Sequence, residues 1–265
     1  MKFFRSFFQQ ICSFSYKTIV LTELEMRKLR HDPTELFTRA VQPALLLLIF
    51  GQVFTRVRAI PTGNLPYLDF MTPGILAQSV LFIAIFYGIS IIWEKDLGVV
   101  HKFLVSPTPR AALVLGKALS AGVRGLAQGL IVVVIALLLR VHLNFNLLSL
   151  LGVALAVVLG SALFSTFSLI IACIVKTRER FMGLGQVLTM PLFFASNAIY
   201  PISIMPSWLQ VVSHLNPLTY EVDILRQLML VGGTGTYQIG FDLGVLAAIT
   251  IILVLIGAVM YPKVI

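Results

Sequence analysis

Six apolar stretches recur along the chain, at about 38–57, 70–93, 112–139, 148–175, 182–200 and 241–262. Each approaches the ~20 residues that a helix needs to cross ~30 Å of hydrocarbon. The first is centred on the run from Ala44 to Phe50. The second holds Pro73 near one end, where a helix tolerates proline best. The third and fourth are long enough to tilt or to protrude from the bilayer. The fifth carries Pro191, Ser196 and Asn197, the pattern of a kinked helix that faces protein rather than lipid. The last is apolar from Leu243 to Val259. An all-α integral membrane protein with six transmembrane helices is therefore expected.

Composition agrees. Hydrophobic residues make up 58% of the 265 and charged residues 12%, against about 25% charged in an ordinary soluble domain. So few charges cannot cover a globule, which excludes a soluble enzyme, a disordered regulator and a disulfide scaffold. Cys12 and Cys173 lie far apart and have no ligand-like spacing, so neither a disulfide framework nor a zinc site is expected.

The net charge of +9 reads as topology once it is placed. Lys2, Arg5, Lys17, Arg27, Lys28, Arg30 and Arg39 precede the first span. Lys95, Lys102, Arg110 and Lys117 lie in or at the end of the connection after the second, Lys176, Arg178 and Arg180 in the fourth connection, and Lys263 follows the last span. The other side holds only Arg56, Arg58, Arg140 and Arg226. Basic loops stay inside, so both termini are expected in the cytoplasm, and no nucleic-acid partner is expected. The N-terminus resembles a signal peptide only superficially: Gln9-Gln10 interrupts a short apolar run, no small-residue cleavage site follows, and retention is expected.

Three segments are not explained by lipid. Residues 1–37 form a cytoplasmic N-terminus in which Phe14, Ile19, Val20, Leu24 and Leu29 share a helical face. Glu23 and Arg27 stand four apart, the spacing of a helical ion pair, with Lys28 beside them. Such an amphipathic helix lies in the membrane interface or braces a cytoplasmic partner. In the connection 94–107, Leu97, Val100, Phe103 and Leu104 repeat at helical spacing before Ser106-Pro107 stops the helix, so something must cover that stripe. The segment 201–240 mixes Pro201, Pro206, Trp208, His214, Pro217, Glu221, Asp223 and Arg226 with apolar residues. Two short amphipathic helices, around 206–214 and 217–230, are expected to dip into the outer leaflet there. Pro217 suits the first turn of the second helix, and Gly232-Gly233 its end.

Chemistry-bearing motifs are missing. Gly116-Lys117 lacks both the first glycine and the Ser or Thr of a phosphate-binding loop. The histidines His31, His101, His142 and His214 are scattered, and no nucleophile elbow is present. No acidic residue is expected at mid-span, which argues against proton coupling, and Arg124 is the only charge well inside one. Arg124 is expected to snorkel to the interface or to pair inside the protein. Gln78, Gln128, Gln186 and Asn197 either line a path or bond between helices, and Glu221, Asp223 and Arg226 are placed to form a local salt-bridge cluster. From these residues alone, the chain is a membrane protein powered by a partner or by an ion gradient.

Three motifs then carry a resemblance over nearly the whole chain. The first is Tyr67-Leu68-Asp69-Phe70 with Pro73-Gly74. The second is Trp93-Glu94-Lys95-Asp96 with Gly98, Lys102, Leu104 and Ser106-Pro107, then Leu115-Gly116-Lys117. The third runs through Phe194-x-Ser196, Pro201, Met205-Pro206-x-Trp208-Leu209 and Asn216-Pro217-Leu218-Thr219-Tyr220 to Asp223 and Arg226. In this order they resemble the membrane subunits of the ABC type-2 permease family, in particular its daunorubicin-resistance and nodulation-export branch. Asn197 departs from it, since many relatives carry glycine beside that serine.

The resemblance implies an ABC type-2 transmembrane domain over 38–265 and a half-transporter that pairs with a second permease chain, as a homodimer or a heterodimer. It implies two ATP-binding subunits that hold the ATP and magnesium, with no cofactor and no metal on this chain. It also implies that 94–107 is the coupling helix seated in the ATPase, with Glu94, Lys95, Asp96, Gly98, Lys102, Leu104 and Pro107 as contact residues. The N-terminal helix with Glu23, Arg27 and Lys28 would brace the same partner. The outer re-entrant motif, Pro201, Pro206, Trp208, Asn216, Pro217, Tyr220, Asp223 and Arg226, would cap the path of an amphipathic, lipid or lipid-linked substrate. The plasma (inner) membrane is the expected location, with an organellar membrane as the alternative. A gradient-driven carrier or channel and a non-transporting scaffold are the rival readings.

Overall fold

The computed structural model describes residues 20, 23, 27, 34–57, 60–63, 65–100, 109–175 and 177–264. Among them the regular structure is helical, with one isolated antiparallel bridge between Leu143 and Leu230. Helix α1 (Thr34–Leu45) runs through a π-helical turn (Leu46–Gly51) into α2 (Gln52–Val57). Helix α3 (Tyr67–Tyr87) passes through a turn at Gly88 into α4 (Ser90–Asp96). Two long helices follow, α5 (Arg110–Leu138) and α6 (Leu147–Val175), then α7 (Arg178–Phe194). A 3-10 turn at Ile202–Ile204 leads to α8 (Ser207–Leu215) and α9 (Pro217–Met229), and α10 (Ile239–Met260) ends in a second 3-10 turn, Tyr261–Val264.

Five segments among the described residues are helical, long and apolar enough to cross a bilayer: Thr38–Arg56, Tyr67–Asp96, Arg110–Leu138, Leu147–Val175 and Ile239–Met260. They match five of the six expected spans to within a turn at each end. The remaining stretch, 182–200, ends sooner than its hydropathy suggests. Helix α7 has 17 residues and stops at Phe194, a length of about 25 Å. Its last carbonyls are taken by side chains. Asn216 Nδ2 donates to Leu192 O at 2.7 Å, Ser196 Oγ to Phe193 O at 2.7 Å and Tyr200 Oη to Phe194 O at 2.5 Å. Carbonyls at a helix end need such partners, and here three polar side chains supply them where continued helix would have.

Helix α3 is the centre of the bundle. It packs on α5, α6 and α9, and Met71, Ile75, Leu76, Val80, Leu81 and Ile85 are buried on all sides of it. Small residues let its neighbours close in: a Cβ on Gly122 or Gly125 of α5 would meet Val158 or Ser161 of α6, the close approach that holds helices together where lipid supplies no hydrophobic drive between them. Helix α10 turns Ile251, Ile252, Leu255 and Val259 outward, and α1 with its π turn exposes Leu45, Leu48 and Ile49. Apolar faces of this kind fit hydrocarbon rather than water.

The tightest approach joins α3 to the chain after α7. A Cβ on Gly74 would lie 2.3 Å from the carbonyl oxygen of Ala198 and 2.6 Å from its Cα. Backbone cannot move aside as a flexible side chain does, so Gly74→Ala is expected to cost about 1–3 kcal/mol or more. Thermal unfolding in detergent checks this, and an unchanged melting temperature would contradict it.

Candidate functional site

Polar and charged groups gather in two places. The first is the end of the bundle where α4 stops. Helix α4 continues the line of α3 and buries Ile91 and Ile92, which share a cluster with Leu113, Val114, Phe181 and Tyr261. One turn along that face from Ile91, Glu94 is also buried, and both its oxygens lie 2.8 Å from Lys117 Nζ of α5. Lys117 and Arg124 stand seven apart on one face of α5. Both look onto the Tyr87 ring, the Arg124 guanidinium 4.7 Å from its centroid and Lys117 Nζ 5.9 Å away. On the other side of α4, Asp96 accepts from Arg178 Nη2 at 2.5 Å, and the Arg178 guanidinium stacks on Trp93 at 3.8 Å. Helix α4 is thus clamped to α5 by a buried ion pair and to the start of α7 by an exposed one. Beyond the clamp, Leu97 is 72% exposed and Gly98 turns the chain with φ +69°, a backbone state that suits glycine.

The second gathering surrounds α9. Asn216 caps that helix, its side chain accepting from Leu218 N at 3.0 Å, and Pro217 fills the first helical position; such a cap contributes about 1 kcal/mol. Asp223 is fully buried and accepts from Thr236 N at 2.8 and 2.9 Å and from Tyr237 N at 2.9 Å. It therefore fixes the loop that leads into α10. Arg226 Nη2 donates to Asn197 O at 2.6 Å, and its guanidinium covers the Phe70 ring at 3.9 Å. Burial pulls the Arg226 guanidinium down to about 10, against the pull of Asp223, so it stays charged at neutral pH. Tyr220 Oη donates to His214 O at 2.6 Å, and the rings of Tyr220, Tyr237 and Phe241 pack together. Nearby, His142 Nδ1 pairs with Asp69 at 2.8 Å.

Several expected site residues occupy other roles than a surface reading gives them. Glu94 points into the bundle, while Lys95 is half-buried and Asp96 is exposed and paired. Lys102, Leu104, Pro107 and Lys28 lie outside the described residues. Glu23 and Arg27 form the expected pair at 2.8 Å. Pro201 and Pro206 precede the 3-10 turn and α8, whose Trp208, Val211 and Leu215 are exposed. Helix α8 thus presents an apolar face, but α9 is buried against α3, α6 and α10 instead of skimming the surface.

Nor do Glu221, Asp223 and Arg226 form one cluster. Residues two apart on a helix point to nearly opposite sides, and Glu221 lies against Gly160 of α6. Four partners escaped the sequence reading: Lys117 for Glu94, Arg178 for Asp96, His142 for Asp69, and the Thr236–Tyr237 backbone for Asp223. The heptad spacing of Lys117 and Arg124 could have revealed the first. Nothing local could have revealed the others, which are separated by many residues.

Comparison with known proteins agrees with this architecture. Residues 16–230 match the family described as "ABC-2 type transporter". The chain is 27% identical over 269 residues to a protein named as the transport permease ycf38 of Cyanophora paradoxa, covering 95% of this chain and 89% of that one. It is 26% identical over 224 residues to the daunorubicin resistance ABC transporter permease protein DrrB1 of Streptomyces coeruleorubidus, covering 84% and 78%. It is also 26% identical over 195 residues to the inner membrane transport permease YadH of Escherichia coli K12, covering 70% and 73%. With its membrane-length helices and a family match that runs over most of its length, this chain belongs to the ABC-2 type transporter family.

Proposed function

We propose that the chain is the membrane permease of an ATP-driven exporter, working with a separate ATP-binding subunit. The observation that carries this reading is the clamped α4: a helix continuous with the central α3, tied to both α5 and α7, that ends in an exposed Leu97 and a turning Gly98. A push on the following segment would reach three membrane helices at once. Lys95, Asp96, Gly98, Lys102, Leu104 and Pro107 form the contact surface for the ATPase, and Glu94 anchors that surface from inside. The helix around Glu23, Arg27 and Lys28 supports the same partner. Helix α7, extended by the polar turn that follows it, serves as the sixth crossing, which leaves both termini in the cytoplasm of the inner (plasma) membrane.

The working unit is a pair of permease chains with two ATP-binding subunits, which hold ATP and magnesium. Relatives named for daunorubicin resistance and for inner membrane transport support export of an amphipathic compound, drug-like, lipid or lipid-linked. Binding of nucleotide biases two packed arrangements of the helices, and a permease needs only that differential bias to alternate.

The test is reconstitution of the chain with its ATP-binding subunit in vesicles. Accumulation of an amphipathic fluorescent amine is expected to require ATP and to survive an uncoupler. Uptake that persists without ATP and collapses with the uncoupler would contradict the reading and favour a gradient-driven carrier.

A further inference from the structure

Glu221 is a carboxylate where hydropathy puts none. It is fully buried, on the second turn of α9, and its carboxyl carbon would lie 2.3 Å from a Cβ on Gly160. Gly160 therefore clears room for this carboxyl. It stands about 20 Å along α6 from Leu147 at 1.5 Å per residue, near the middle of a 29-residue helix. One end of the same contact is fixed by Leu228, whose side chain fills the space beside Gly152, so α9 runs antiparallel along α6 with Glu221 at its deep end. Neither oxygen of Glu221 has a hydrogen-bond partner.

An ionised carboxylate held dry and unpaired is far costlier than the neutral acid, and burial pushes the Glu221 carboxyl well above the ordinary carboxylate range. Among the described residues no opposite charge offsets this. Helix α6 brings no acidic or basic side chain. Helix α3 brings Asp69, paired with His142, and α10 brings Asp242, which lies next to Asp223. His214 of α8 bonds to Tyr237, while Asp223 and Arg226 of α9 itself are engaged with the Thr236–Tyr237 backbone and Asn197.

We propose that Glu221 is a proton-binding site within the bundle, occupied while α9 lies against α6 and emptied to entering water when that contact opens. Each opening releases one proton, and each closure takes one up. This rests on the reading that the permease alternates between packed arrangements, but the site itself can be examined without transport. The sign follows from the neutral form being the buried one. The packed arrangement is most favoured below the ordinary glutamate value and is weakened by up to about tenfold per pH unit as pH rises from there towards the raised value.

The experiment uses the purified full chain in lipid nanodiscs and two readouts. Infrared spectra of the wild type at neutral pH are expected to contain a protonated-carboxyl carbonyl band, shifted in heavy water, that E221Q lacks. Disulfide trapping between Gly152→Cys and Leu228→Cys, across α6 and α9, is expected to fall more steeply with rising pH in the Glu221 background than in the E221Q background. Identical spectra, or identical pH profiles of trapping, would overturn the proposal. So would an E221Q chain that fails to fold, because glutamine has nearly the shape of the neutral acid. Neither readout involves ATP or a substrate, so its failure is distinct from failure of the exporter reading.

Discussion

Replacing Asp223 with alanine is expected to cost about 3–5 kcal/mol, the range for removing one partner from a buried charged network. The loss has three parts. The N–H groups of Thr236 and Tyr237 lose their acceptor, Asn197 Nδ2 loses a partner at 3.4 Å, and the buried Arg226 loses a nearby negative charge that favours its charged form. Buried donors left unpaired are costly in a way that exposed ones are not. Because Asp223 ties the loop before α10 to α9, the last long helix should loosen with it. A fall of roughly 10 °C in melting temperature is expected, at about 2–4 °C per kcal/mol for a chain of this size. Asp223→Asn keeps one acceptor oxygen and the shape, so about half that loss is expected. Equal melting of wild type and Asp223→Ala in detergent would show that the contacts around α9 do not hold the fold.

Replacing Lys117 with methionine is expected to lose about 3–5 kcal/mol for the corresponding reason at the other end of the bundle. Both oxygens of Glu94 are within 2.8 Å of Lys117 Nζ, and methionine fills the same space without the charge. Pairing Lys117→Met with Glu94→Gln should recover most of the loss, since the buried charge is then removed with its partner. The functional effect should not recover. With α4 unclamped from α5, ATP hydrolysis by the assembled complex is expected to continue while export falls. Thermal melting and a comparison of hydrolysis with transport separate the two effects. Full export by the double variant would mean that the Glu94–Lys117 link carries no motion.

The long spans were legible in the sequence because a run of ~20 apolar residues has few other uses, and Tyr67–Asp96 and Leu147–Val175 fall where such runs are found. The end of α7 was not legible, because hydropathy continues past Phe194 while the stop is set by Ser196, Tyr200 and the distant Asn216. Pro217 announced the start of α9, but its Asn216 cap and the burial of α9 were hidden. Its charges suggested a surface helix, and only the packing against α3 and α6 shows Glu221 and Asp223 turned inward on different sides. Glu221 thus packs against Gly160 near the middle of α6, although the five membrane-length helices carry their acidic residues only near their ends. Glu94 was expected to face a partner. Its place one turn after Ile91, on the face that buries Ile91, was the available signal that it faces inward.

The coupling role proposed for the segment after α4 is tested most directly by a pull-down. The full chain and a variant lacking residues 101–107, which keeps the Glu94 and Asp96 ion pairs and the buried Val100, are each co-expressed with the ATP-binding subunit and purified through a tag on the permease. The full chain is expected to retain the ATP-binding subunit and its nucleotide hydrolysis, and the shortened chain to lose both while melting at nearly the same temperature. Undiminished recovery of an active ATP-binding subunit with the shortened chain would contradict the coupling role of this segment and the mechanism built on it.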